Sequence, residues 1–155
     1  MNIGLSEKET NNVAEALHIV LANQHVLYQK LRNYHWNVKG KHFMTLHELF
    51  EEHYNELSND IDEIAERIRS LGHYARGTMT EYIKMATLTE MPGEYPDEEG
   101  MITELLSDYE AIIVHLRKTS DVCAENNDKG SEDMIIGIMQ KHEKQSWMIR
   151  SILNA

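Results

Sequence analysis

The chain has one cysteine, Cys123, in 155 residues, which excludes an internal disulfide framework and favours a reducing cytoplasm. Only two prolines, Pro92 and Pro96, and eight glycines interrupt it, which leaves room for long helices. No apolar run reaches about 18 residues, so no transmembrane helix is expected. The first residues, MNIGLSEKETNN, lack the basic start and apolar core of a signal peptide. We therefore expect a cytoplasmic protein with no membrane association.

Basic residues are also scarce, with 15 Lys and Arg against 26 Asp and Glu and a formal net charge of −11. Nucleic-acid-binding proteins usually carry a basic patch or tail, so DNA binding is expected to be weak or absent. The surplus of carboxylates attracts cations, although it also serves solubility alone. A hydrophobic content of 41% suits a single globular domain, which we take to span residues 1–155.

Apolar residues recur at helical spacing in four long segments. We predict helices over about 6–38, from 43 or 45 to 71, over 98–124 and over 131–153. Ser6 and Glu9 form a capping box at the first start, Gly40 is placed to end that helix in a left-handed cap, and Ser131 is taken as the N-cap of the last helix. A short extra helix over 78–86 falls in the long connection between helices two and three. The pattern predicts an all-α, ferritin-like four-helix bundle with one long crossover.

Two pairs of metal-ligand side chains project from the second helix. His47 and Glu51 are four residues apart, as are Asp62 and Glu66, so each pair lies on one face, one turn apart. Both pairs flank the apolar residues that line one face of this helix. His35 lies just before the turn that leads into the helix. The pattern leaves two interpretations open, a solvated face of polar pairs or part of a metal site.

Distance along the helix limits the second interpretation. His47 and Asp62 are about 22 Å apart at 1.5 Å per residue, whereas protein ligands bind a transition metal at about 2 Å. Elsewhere, the one E-x-x-H sequence, Glu15 to His18, looks like a coincidence on the solvent side of helix one, so the interior lacks the usual ferritin-like ligand set. An antiparallel two-fold pair of second helices solves the geometry, because it brings His47 of one chain to Asp62 of the other.

The stretches HWNVKGKHFMTLHELFE (35–51) and DEIAERIRSLG (62–72) match a known pattern. The chain resembles the Dps family, the DNA-protection-during-starvation mini-ferritins. The residues that carry the resemblance are His35, Trp36, Asn37, Gly40, Phe43, Leu46, His47, Glu51, Asp62, Ala65, Glu66, Arg67 and Gly72. Because Trp147 in the fourth helix also fits, the resemblance covers nearly the whole chain.

The resemblance implies an enzyme, a ferroxidase that oxidises Fe(II) with hydrogen peroxide or oxygen and stores the ferric product in a hollow homododecamer. Such an oxidoreductase protects against oxidative stress. By position, His35, His47 and Glu51 come from one subunit, and Asp62 and Glu66 from its two-fold partner. Imidazole with carboxylate suits a di-iron site, and zinc is a competitor for the same ligands. The family commonly has aspartate where this chain has Glu51, which puts the affinity of the second iron position in question.

The resemblance also places Asp128 and Asp133 at a three-fold pore through which iron would pass. The other interpretation is a charged loop before a helix, where acidic residues are favoured by the helix dipole. Trp36 could intercept radicals beside its neighbouring ligand, although plain packing is the favoured role. The alternative function is a nucleoid-coating DNA-binding protein with secondary metal sites, and a third option is a shell with degenerate sites. The scarcity of basic residues at both tails argues against the DNA-binding function. The intact ligand set argues against a shell with degenerate sites.

Overall fold

The computed structural model describes residues 2–153, and all regular secondary structure in that range is helical. The helices are α1 (Glu7–Asn37), α2 (Phe43–Ser70), α3 (Met79–Met85), α4 (Glu98–Glu125) and α5 (Lys129–Leu153). Met1, Asn154 and Ala155, and with them the ends of the predicted domain and tails, lie outside the described residues. None of the described helices has the length and apolar composition needed to cross a bilayer.

The four long helices pack as two hairpins. α1 packs against α2 and α4 against α5, while α1 also contacts α4 and α3. An ion pair between Asp60 and Lys141, at 2.6 Å, joins α2 to α5 and closes the bundle. The predicted ferritin-like bundle, with a short helix in the crossover between its second and third long helices, is therefore confirmed.

The apolar stripe predicted for the second helix is the face that α2 buries. Leu46, Phe50 and Leu57 are at most 3% exposed, and the stripe continues to the end of the helix. Burying a side chain of this size stabilises the fold by roughly 1.5–3 kcal/mol relative to leaving it exposed. The remaining buried members of the stripe are Ile64, Ile68 and Leu71.

The crossover is tied to α1 by a buried amide. The side-chain oxygen of Asn23 accepts backbone N–H bonds from Thr87 and Leu88, both at 2.9 Å. Asn23 is 1% exposed, so this amide satisfies two loop donors that would otherwise lack a partner inside the protein. The long connection is thus held against the bundle on the side where α1 meets α3.

Several helix ends follow the prediction. The Ser6 hydroxyl accepts the Glu9 N–H, and the Glu9 carboxylate accepts the Ser6 N–H, which completes the capping box at the start of α1. Gly72 has φ +90° and follows the last turn of α2. A residue without a Cβ adopts that left-handed conformation without strain, so Gly72 ends α2 as a helix-terminating glycine does.

Two predicted helix caps are wrong. α1 ends at Asn37, close to the predicted position, but its C-cap residue, Val38, has extended rather than left-handed backbone, and Gly40, with φ +138°, lies in the turn beyond. α5 begins at Lys129, two residues before the predicted cap, because the Asp128 side chain caps the helix by accepting the N–H of Ser131, its third residue. Both residue types cap helices well, and Asp128 takes the role because its buried carboxylate also pairs with Arg67, at 2.6 Å.

Candidate metal centre

Two stacked histidines join the end of α1 to the start of α2. The rings of His35 and His47 lie face to face, with centroids 3.7 Å apart and an interplanar angle of 19°. The Nδ1 atom of each ring lies 2.8 Å from the backbone carbonyl oxygen of the other residue. The two helix ends are therefore held together by a reciprocal pair of side-chain to backbone hydrogen bonds.

These hydrogen bonds determine the tautomer of both rings. A carbonyl oxygen can only accept, so each Nδ1 carries the proton and donates it. With the proton on Nδ1, each imidazole in its neutral form has its Nε2 lone pair free for a metal ion, which is the usual arrangement of a metal-binding histidine. The bond from His47 also satisfies a carbonyl in the last turn of α1, which has no partner within its own helix.

Glu51 completes a three-residue group one helical turn after His47. One ligand atom from each of His35, His47 and Glu51 lies within 4.8 Å of the other two. Among the described residues 2–153, this is the only such group of three or more His, Cys, Asp or Glu side chains. The histidines are half-buried and Glu51 is exposed, so the group opens at the surface of the chain.

Aromatic rings surround the two histidines. Phe43 stacks on His47 with centroids 5.1 Å apart, and Tyr54 meets the His35 ring edge-on at 5.5 Å. Partial burial and the neighbouring Glu51 carboxylate raise the pKa of Tyr54. The ligand group therefore has an apolar rim that limits water on the protein side.

The other predicted ligands lie elsewhere on the same helix. Asp62 and Glu66 are exposed on α2, and neither belongs to the group formed by His35, His47 and Glu51. The two residues are one turn apart on a continuous helix, and along its axis Asp62 lies about 22 Å and Glu66 about 28 Å from His47. Three of the five predicted ligands are thus brought together within one chain, and two are not.

Comparison with known proteins now identifies the family. A family model described as the ferritin-like domain matches residues 14–155. The chain is 42% identical to DNA protection during starvation protein 2 of Bacillus anthracis, covering 92% of this chain and 97% of that protein. The chain belongs to the Dps family.

Solved Dps structures have the same fold. The Dps protein of Vibrio cholerae, described as a member of a broad superfamily of ferritin-like diiron-carboxylate proteins, superposes with a TM-score of 0.93 at 32% identity, covering 99% of this chain and 96% of that one. Dps from Staphylococcus aureus gives a TM-score of 0.89 at 37% identity, covering 97% and 98% of the two chains. The predicted Dps resemblance is therefore confirmed.

The mainly apolar interior of this Dps chain contains a small polar cluster that differs from the surface group. Each long helix contributes one buried side chain to this cluster: Gln24, His53, Tyr109 and His142. The Tyr109 hydroxyl lies 2.9 Å from Nδ1 of His53, and the Gln24 amide lies 2.9 Å from Nε2 of His142. Burial lowers the pKa of His53 to about 4 and that of His142 to about 3, so both rings are neutral near pH 7. These side chains bond to each other, and the described chain has no carboxylate-rich ligand set there.

One histidine is placed differently from the prediction. His18 is 2% exposed and so does not lie on the solvent side of α1. Its Nε2 lies 3.1 Å from the backbone carbonyl oxygen of Tyr74 and 3.3 Å from the backbone nitrogen of Arg76, and it thereby holds the start of the crossover. Glu15 does face solvent and pairs with the Arg76 guanidinium, at 2.5 Å. The E-x-x-H sequence therefore anchors a loop, a role that its spacing alone does not indicate.

The two predicted pore carboxylates have different surroundings. Asp128 is 2% exposed, and its oxygens accept from the Arg67 guanidinium at 2.6 Å and from the Ser131 N–H and hydroxyl at 3.0 and 2.6 Å. Asp133 is exposed one turn later. In the described chain Asp128 is thus a buried helix cap rather than a free surface carboxylate. The sequence could not show this, because the deciding partner, Arg67, lies on another helix.

Trp36 is 57% exposed and lies under the Arg32 guanidinium, which is 4.9 Å from the centroid of the indole ring. Within the described chain this cation–π contact supports the predicted packing role, although more than half of the side chain stays exposed. A large exposed aromatic next to His35 leaves an apolar surface beside the candidate centre.

Proposed function

We propose that this chain is a ferroxidase and iron-storage protein that oxidises Fe(II), preferably with hydrogen peroxide, at di-iron sites shared between two chains. The ferric product is held inside a hollow homododecamer built on two-fold dimers, and its removal from solution protects against oxidative stress. Family membership and the diiron-carboxylate description of the Vibrio cholerae relative support an iron-related role.

The observation that carries the proposal is the outward-facing group of His35, His47 and Glu51. Two imidazole nitrogens and one carboxylate suit ferrous iron, and three protein ligands leave coordination positions open. Asp62 and Glu66 are the remaining carboxylates of the proposed centre. Because Asp62 and Glu66 lie about 22 Å and about 28 Å from His47 along one helix, only a second chain supplies them to the same ion.

In a closed two-fold dimer, each chain supplies carboxylate ligands to the metal centre of the other. When two copies of α2 pack antiparallel, each chain gives His35, His47 and Glu51 to one centre and Asp62 with Glu66 to the other. The exposed aromatic rings of Trp36 and Phe43 would then be covered by the partner. Covering them also removes water from around the ligands and strengthens the electrostatic attraction between metal and carboxylate.

The chemistry requires two ferrous ions and one oxidant molecule. Hydrogen peroxide accepts one electron from each ion, its O–O bond breaks, and both oxygens end as hydroxide-level ligands of ferric iron or as water. Since one reduction step consumes both electrons, no hydroxyl radical is released. Glu66 is the proposed bridge between the ions because a carboxylate has two oxygens to share, and the carboxylates together stabilise the ferric product by charge.

Iron uptake is the second part of the proposal. We assign the exposed carboxylate of Asp133 to a three-fold pore, where rings of negative charge draw cations inward. Asp128 is assigned the supporting role of fixing the start of α5, since its oxygens are already bonded to Arg67 and Ser131. Zinc is expected to compete at the di-iron site, because its ligand preferences overlap with those of iron.

The alternative function is a DNA-coating protein with secondary metal sites. The name of the Bacillus anthracis relative favours it, since that protein is called a DNA protection protein. The charge opposes it, because twelve chains of formal charge −11 would carry −132 in total. Counterion release requires Lys and Arg side chains at the DNA surface, so ferroxidase activity is the favoured function.

The test is anaerobic loading of the assembled protein with Fe(II), followed by hydrogen peroxide or oxygen, with ferric absorbance as the readout. Wild type should oxidise iron rapidly, whereas a His47→Ala and Asp62→Ala double variant should fall to the rate of free Fe(II). The matched control is Glu48→Ala, which removes an exposed carboxylate next to His47 that lies outside the ligand group. An unchanged rate in the double variant would show that the site assignment is wrong.

A further inference from the structure

α2 begins without a cap of its own. Its N-cap residue is His42, whose side chain makes no capping hydrogen bond, and its first turn contains no acidic residue. By contrast, α1 and α3 both begin with complete capping boxes, Ser6 with Glu9 and Thr78 with Glu81. The helix that carries His47 and Glu51 is thus the exception among these three starts.

The missing carboxylate comes from another helix. The backbone N–H of His42 donates to Oε1 of Glu98 at 2.7 Å, and Nδ1 of His42 lies 3.3 Å from Oε2 of the same side chain. Glu98 is the first residue of α4. In a capping box, the carboxylate three residues into the helix accepts the N–H of the cap residue. Glu98 performs that half of the capping box for α2 from outside it, and its negative charge also complements the helix dipole there.

The turn before α2 is shaped to receive this carboxylate. A Cβ atom on Gly40 would lie 2.5 Å from Cδ and 2.6 Å from Oε1 of Glu98, so no larger residue fits without displacing the carboxylate. Gly40 also has φ +138°, a backbone conformation that residues with a side chain rarely adopt. Conformation and space therefore both favour glycine at position 40, where the backbone of the turn approaches the Glu98 carboxylate closely.

The contact between Glu98 and the turn lies at the connection between α1 and α2, the two helices that carry His35 and His47. Residues 38–42 are the chain segment that connects the last turn of α1, which carries His35, to the first two turns of α2, which carry His47. Helix ends fray unless their free backbone groups are bonded. Any shift of this turn would change the stacking of the two rings and separate their Nε2 atoms.

We propose that Glu98 is a positioning residue of the metal centre: its carboxylate holds the turn 38–42 and thereby keeps His35 and His47 in register for one metal ion. The proposal rests on the proposed function, in which these two histidines bind iron. Glu98 does not belong to the ligand group, so it acts through the turn and never touches the metal.

The test uses assembled protein and titrates Co(II), whose visible absorption reports ligand geometry, together with Fe(II) oxidation kinetics and thermal unfolding. Glu98→Ala should weaken Co(II) binding about tenfold, the lower end of the range for supporting residues. It should raise KM for Fe(II) while leaving kcat within about twofold, because bound metal restores the register. Glu98→Gln keeps an oxygen acceptor for the His42 N–H and should restore affinity to within about threefold of wild type.

The matched control is Glu99→Ala, which removes the exposed neighbouring carboxylate on the same first turn of α4. It should leave Co(II) affinity and KM unchanged. Co(II) affinity equal to wild type in Glu98→Ala, with only a lower unfolding temperature, would reduce Glu98 to a stabilising role and overturn the proposal. If Glu98→Ala does not assemble, Glu98→Asp replaces it, since the shorter side chain cannot reach the turn. Weaker Co(II) binding in Glu98→Asp would then support the proposal, and wild-type affinity would overturn it.

Failure of the proposed function would look different. In that case wild-type protein would show no Co(II) binding that His47→Ala removes, and the positioning proposal would fall with it. If His47→Ala abolishes binding while Glu98→Ala, Glu98→Gln and wild type bind equally, only the positioning proposal is wrong.

Discussion

His35 and His47 donate their Nδ1–H groups to each other's backbone carbonyl oxygens, each across 2.8 Å. This reciprocal bonding sets both tautomers and points two free Nε2 lone pairs to the same side of the helix pair. The histidine half of the centre is therefore preorganised in a single chain. The carboxylate half, Asp62 and Glu66, is not brought to these histidines within the same chain.

Removing one histidine should disable metal binding without unfolding the chain. His47→Ala deletes one Nε2 ligand and also frees the carbonyl of His35 from its hydrogen bond. We expect Co(II) or Zn(II) affinity to fall by at least about a hundredfold, since two protein ligands remain on that chain. Calorimetric titration measures the change, with Glu48→Ala as the control. Equal affinity in His47→Ala and wild type would contradict the ligand assignment.

Substitution of Asp128 should lower the stability of the protein, whereas substitution of Asp133 should slow iron uptake. Asp128→Ala removes the cap of α5 and leaves the partly exposed Arg67 guanidinium without its carboxylate partner, which should cost about 2–4 kcal/mol of unfolding free energy. Asp133→Ala removes an exposed carboxylate and should change stability by less than about 0.5 kcal/mol, while slowing iron uptake.

Urea unfolding and the rate of iron loading at limiting Fe(II) are the two measurements for this pair. An Asp128→Ala protein as stable as wild type would contradict the buried cap. An Asp133→Ala protein that loads iron at the wild-type rate would contradict the pore assignment.

Stability should fall as the pH is lowered, partly through His142. Burial lowers its folded pKa from 6.5 to about 3, so between these values the unfolded chain binds a proton that the folded chain does not. His142 therefore lowers the unfolding free energy by up to about 1.4 kcal/mol for each unit of falling pH through this window. His142→Gln should remove this slope contribution, measured by urea unfolding at fixed protein concentration. Parallel pH dependences for variant and wild type would contradict a neutral buried ring.

DNA binding should be weak or absent near neutral pH, because the net charge of −11 per chain repels the phosphate backbone. A mobility-shift assay at low salt, without divalent metal, should show no retained complexes. A Dps protein with a basic tail is the positive control. Tight complexes under these conditions would favour the alternative, DNA-coating function.

The long-range organisation was predictable from sequence because its signals are periodic. The stripe from Leu46 to Leu71 repeats every three or four residues and identifies both the length and the buried face of α2. The capping box of Ser6 and Glu9 is a local signal at known spacing, and the structure contains it. The spacing of His47 and Glu51 likewise needs only helical geometry to place both side chains on one face.

The features that sequence did not predict depend on contacts between distant segments. Asp128 rather than Ser131 caps α5, because Arg67, on α2, binds the Asp128 carboxylate. The burial of His18 depends on the backbone of Arg76 in the crossover. Glu98 reaches the turn at Gly40 from the start of α4, and no local pattern at either position indicates the contact.

The most direct test of the shared centre mixes two inactive chains. His47→Ala and Asp62→Ala subunits are co-expressed with different tags, and mixed shells are purified by both tags in turn. A centre that takes His47 from an Asp62→Ala chain and Asp62 from a His47→Ala chain has all its ligands. With random pairing, this combination makes up about one quarter of the centres.

Fe(II) oxidation by hydrogen peroxide in the mixed shells, compared with each single-variant shell, is the deciding measurement. We predict about one quarter of the wild-type rate in the mixed shells and almost none in either single-variant shell. Mixed shells no more active than the single variants, although both chains are present, would contradict a metal centre built from two chains.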